Sequence, residues 1–144
     1  MISFKTFLLS ETVIDKKDLR DAIKRFSEIK IGEVELDYYF KAGSPVFALA
    51  LYYLINKQGE FYKLSDEEMD FLHVVVKIDE AYWDIKGGNT LKRKEEFITI
   101  VGNTKWSKTT FQDVAKQVED IKEVTETHNL LKNILEDVQK EVIK

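Results

Sequence analysis

The chain has no cysteine and only two histidines among its 144 residues. The absence of cysteine excludes disulfides, metal sites built on thiolates and a cysteine nucleophile. Because two imidazoles are too few for a multi-histidine site, the sequence predicts no metal and no cofactor. No apolar run approaches the roughly 18 residues of a membrane-spanning helix, and the N-terminus lacks the apolar stretch of a secretory signal.

The chain also has no long run of basic residues. Its 22 basic and 26 acidic residues give a formal charge of −4. Residues 31–90 carry five basic and eleven acidic groups, a balance of 5 − 11 = −6. A nucleic-acid binder needs contiguous Lys and Arg, so neither nucleic acid nor a membrane is expected as a partner.

The hydrophobic pattern predicts one α+β domain over residues 1–144, in which a small antiparallel sheet packs on a buried central helix. Ser44 is a favoured N-cap and Pro45 a favoured first residue of that helix, and residues 46–55 are apolar on almost every side. An earlier helix begins at Asp15 or Asp18 and ends near Ile29. The predicted strands are residues 33–40, 61–64, 71–78, 81–85 and 97–101, with residues 87–89 as a closing turn.

Residues 105–144 are predicted to form a helical extension of a core that spans residues 12–104. One stripe follows the alternating steps of four and three residues that are typical of a helix: Val114, Val118, Ile121, Thr125 and His128. After one further three-residue step, the same spacing continues through Leu131, Leu135, Val138 and Val142. The pattern fits one long helix with a shifted stripe, or two helices that break between Thr125 and Asn129. The stripe can pack on its own domain or pair with a second chain.

Three residues occupy positions suited to a nucleophile, a base and an acid that orients the base. Ser44 begins the buried helix, where free amides and the helix dipole stabilise an anion. A two-residue turn at Asp79-Glu80 pairs positions that sum to 159, which places His73 and Asp84 on one face as diagonal neighbours. A carboxylate there fixes the imidazole tautomer. Each residue also has an ordinary structural interpretation, as a helix cap, a buried histidine and a turn acid.

Three segments carry a resemblance: residues 43–51 (GSPVFALAL), 72–76 (LHVVV) and 82–87 (YWDIKG). Their order and spacing resemble the core of papain-like cysteine hydrolases, in particular the compact NlpC-type enzymes of bacteria and phages. The resemblance implies thiol-dependent hydrolysis of an amide or peptide bond, with Ser44 at the nucleophile position, His73 as general base and Asp84 orienting it. Because serine replaces the family's cysteine, it also implies a weak or inactive site.

The first eleven residues carry a second resemblance. Leu9-Ser10-Glu11 is similar to the cleavage site that ends the capsid-targeting segments of internal proteins in T-even-type phages. It implies a protein trimmed after Glu11, packaged in the virion interior and delivered to the host cytoplasm. The alternative function is a non-catalytic protein that inhibits a host protein through its acidic surface and C-terminal helices.

Overall fold

The computed structural model describes residues 15–29, 43–78, 81–85, 87–89 and 105–143. This described part contains four helices, α1 (Lys16–Ile29), α2 (Ser44–Leu54), α3 (Phe111–Lys116) and α4 (Ile121–Ile143). It also contains five strands, β1 (Glu60–Ser65), β2 (His73–Ile78), β3 (Ala81–Asp84), β4 (Gly87–Asn89) and β5 (Lys105–Thr109). The α+β class is therefore confirmed. The predicted strands at 33–40 and 97–101 lie outside the described residues, as does the 1–11 segment.

The first helix begins at the earlier of its two predicted starts. Asp15 Oδ1 accepts a hydrogen bond of 2.8 Å from the Lys17 amide, which satisfies one of the free amides of the first turn. The residues predicted to face the core, Leu19, Ile23 and Phe26, are buried. Their helical spacing in the sequence therefore correctly identified the face of α1 that packs against the core.

The strands form one antiparallel sheet in the order β4-β3-β2-β1-β5. Val76 lies opposite Trp83 and Ile78 opposite Ala81, so the β2–β3 register is the predicted one, with paired positions summing to 159. Side chains alternate between the two faces of a strand. Val74, Val76 and Trp83 join the main core on one face of the sheet.

Two strands were not expected. Residues 87–89 were predicted to be a closing turn, but they pair with β3 as β4, with Gly87 opposite Asp84. Residues 105–109 were predicted to be helical, but they pair with β1 as β5, with Lys105 opposite Ser65. The sequence Lys-Trp-Ser-Lys-Thr has no apolar alternation, so only its pairing with β1 identifies it as a strand.

The helices cover one face of the sheet, with α2 at the centre. Residues Ser44–Leu51 of α2 are all buried, as predicted for the central helix. This helix contacts β2, β3 and α4, while α1 contacts α4 and β4. Phe26 of α1 and Phe47 of α2 bring their ring centroids within 5.7 Å.

The C-terminal helices differ from both predicted arrangements. The break lies at residues 117–120, and α4 runs without interruption through Thr125 and Asn129. Asp120 Oδ1 accepts a 2.9 Å hydrogen bond from the Lys122 amide, which caps α4 and explains where it begins. Ile121, expected on the apolar stripe, is 66% exposed. The buried residues of α4 are Val124, Thr127, Leu131, Ile134, Leu135 and Val138, so the predicted stripe is confirmed at Leu131, Leu135 and Val138. This stripe packs on its own domain, against α1 and α2.

Candidate functional site

His73 and Asp84 form a buried pair on the sheet face opposite the main core. His73 Nε2 and Asp84 Oδ2 are 3.0 Å apart, and the two side chains are 1% and 2% exposed. The register explains the contact, because Asp84 is diagonal to His73 across the β2–β3 hairpin. The prediction that these two side chains share a face is confirmed. Since Nε2 faces the carboxylate, Nδ1 is the ring nitrogen turned away from it.

Ser44 does not act as the N-cap of α2, so this expectation was wrong. The N-cap is Gly43, and no side chain caps the helix. Ser44 is the first helical residue, is 2% exposed, and its Oγ accepts a 3.0 Å hydrogen bond from the Val74 amide. The hydroxyl is therefore directed at the sheet rather than at the amides of its own helix.

The end of the β2–β3 ladder explains this contact. The register would place Ile85 opposite Val74, but the paired residues end at Val76 and Trp83. A buried strand amide needs an acceptor. The Ser44 hydroxyl supplies one to Val74, and thereby links the start of α2 to the strand that carries His73.

Ser44 contacts the strand backbone next to His73, and His73 contacts Asp84, but the three side chains do not form a continuous hydrogen-bonded chain. The hydrogen bond of Ser44 goes to the backbone of Val74, the residue after His73. Strand alternation turns the Val74 side chain toward the main core and the His73 side chain toward the other face. Ser44 Oγ lies near the level of the strand backbone, because strand amides point within the plane of the sheet. A hydroxyl that accepts one hydrogen bond keeps its own hydrogen available for donation.

An aromatic cluster occupies the same sheet face as the His73–Asp84 pair. We define the aromatic cluster as Tyr62, Tyr82 and Trp106, whose side chains are all half-buried. The ring centroids of Tyr62 and Tyr82 are 5.5 Å apart, and those of Tyr82 and Trp106 are 6.0 Å apart. Sequence reasoning missed this cluster, because its members come from three strands and Trp106 lies in the segment predicted to be helical.

The described residues provide no other constellation for chemistry. Across the described ranges, no group of three or more His, Asp or Glu side chains is arranged to hold a metal ion. None of the helices that the structure describes combines the length and apolar composition needed to cross a bilayer. Comparisons with known protein families, with curated proteins and with solved structures find no match to this chain.

Removing the Ser44 hydroxyl should measurably destabilise the protein. We expect Ser44→Ala to lower the free energy of unfolding by about 1–3 kcal/mol, because the buried Val74 amide loses its acceptor. Chemical denaturation followed by circular dichroism measures this change. Ser27→Ala is the matched control, because the Ser27 hydroxyl donates to the Lys24 carbonyl in an exposed part of α1. That variant should lose less than about 0.5 kcal/mol, and an equal loss in both variants would contradict the assigned role.

Proposed function

We propose that this chain is a papain-like, NlpC-type hydrolase domain in which Ser44 occupies the position of the catalytic cysteine. The observation that carries the proposal is the buried His73–Asp84 pair, with its 3.0 Å contact, on the strand whose backbone bonds to the first residue of the central helix. The order of helix, histidine strand and acid strand matches the order of these parts in that family. The ancestral chemistry is hydrolysis of an amide or peptide bond.

The roles of the residues follow from their chemistry. The Asp84 carboxylate accepts a hydrogen bond from Nε2, which fixes the ring tautomer, and Nδ1 is then the nitrogen that takes a proton from the nucleophile. Amides at the start of α2 stabilise the negative charge that develops on the attacked carbonyl oxygen. A serine hydroxyl ionises far less readily than a thiol, and in this proposal His73 is the base that activates it. The domain is therefore weakly active or inactive as written.

The test is to restore the thiol. In Ser44→Cys we expect the pKa of the new thiol to fall below the roughly 8.5 of free cysteine, because an adjacent imidazolium stabilises the thiolate. Thiolate absorbance against pH measures this pKa, and the rate of reaction with iodoacetamide reports its reactivity. Each unit of depression is a tenfold change in the thiolate-to-thiol ratio at a pH below both pKa values.

Two further variants make this test decisive. Adding His73→Ala to Ser44→Cys should return the thiol pKa to the value of free cysteine or above, because burial alone favours the neutral thiol. Ser107→Cys on β5 is the control for a half-buried thiol on the same sheet. A Ser44→Cys thiol that titrates like the Ser107→Cys thiol, with or without His73, would refute the catalytic assignment.

A non-catalytic binding function is the second candidate, and the Ser44–Val74 hydrogen bond favours it because that bond gives Ser44 a structural role. The proposed contact surface is the acidic loop of residues 66–70. Asp66 Oδ1 accepts hydrogen bonds from the amides of Glu68 and Met69, so the loop has a defined shape. A host protein captured by the wild type and lost on the double replacement Glu67→Gln/Glu68→Gln would support this function. Equal capture by both proteins would refute the role of the loop.

The proposed location is the interior of a phage virion and then the host cytoplasm. Its support is the likeness of Leu9-Ser10-Glu11 to a phage cleavage site, in residues outside the described part of the chain. Mass spectrometry of the protein from infected cells tests it. A new N-terminus at Thr12 is the expected result, and an intact N-terminus would refute processing.

A further inference from the structure

We draw no further inference here: the strongest candidate, the outer edge of β5 where Lys105 and Lys108 are exposed at the end of the described sheet, carries none because nothing in the described part of the chain shows what covers that edge.

Discussion

Replacing Asp84 with alanine is expected to lower the free energy of unfolding by about 3 kcal/mol. The carboxylate is 2% exposed and 3.0 Å from His73 Nε2. Its removal leaves a buried ring nitrogen without this acceptor, in a place that water does not reach in the folded state. Urea denaturation of the variant and the wild type, under conditions where both transitions are reversible, measures the difference.

Two further variants distinguish the loss of the His73–Asp84 contact from the general effect of replacing an acidic residue on the free energy of unfolding. Asp84→Asn keeps an oxygen that can accept from Nε2, so we expect a smaller loss of about 1 kcal/mol. Asp113→Ala removes an exposed carboxylate from the first turn of α3 and should change stability by less than about 0.5 kcal/mol. If Asp84→Ala were as stable as Asp113→Ala, the buried pair would have no structural role.

The second large effect is expected in α4. Leu131 is fully buried where α4 packs on α1 and α2, so Leu131→Ala should lower the free energy of unfolding by about 2–5 kcal/mol. The cost combines the lost burial of the side chain with the cavity that its removal leaves in the core. Thermal and chemical denaturation measure it.

The adjacent residue provides the control for this prediction. Lys132 is exposed on the same turn of α4, and Lys132→Ala should change stability by less than about 0.5 kcal/mol. A chain that ends at Asp120 should not fold cooperatively, because Leu131, Leu135 and Val138 would all be missing from the core. A truncated chain with a sharp unfolding transition would show that α4 is a separable extension rather than part of the core.

This expectation also limits one way of testing the binding function. Deleting the C-terminal helices would remove core residues together with any contact surface, so a lost partner could simply reflect unfolding. Charge replacements in the exposed acidic loop avoid the problem, because Glu67 and Glu68 are exposed and lie outside the core.

Much of the candidate site was predictable because it depends on local rules. A two-residue connection at Asp79-Glu80 determines the pairing of the strands on either side, and the period of two then places His73 and Asp84 on one face. The observed pairs, Val76 with Trp83 and Ile78 with Ala81, follow that rule. The buried surface of α2 was equally readable, because residues 46–51 are all apolar.

The orientation of Ser44 was not predictable in this way. Serine before proline is the usual signature of a helix cap, and local chemistry alone favours that role. The hydroxyl instead serves an amide 30 residues away along the chain. The sheet explains this orientation, because the β2–β3 ladder ends at Val76 and leaves the Val74 amide in need of an acceptor.

The sequence by itself determined the α+β class, the bounds of α1 and α2 to within two residues, and the hairpin that brings His73 to Asp84. These features follow from periodicity, turn length and helix signals, which act between residues close together in the chain. Only the tertiary structure decided that residues 105–109 form β5, that Ser44 bonds to Val74, and that α4 begins at Ile121 and packs against α1 and α2. Each of these depends on which distant segment packs against the residues concerned. A backbone amide can bond to any suitable acceptor, and an apolar stripe can pack on any apolar surface of complementary shape.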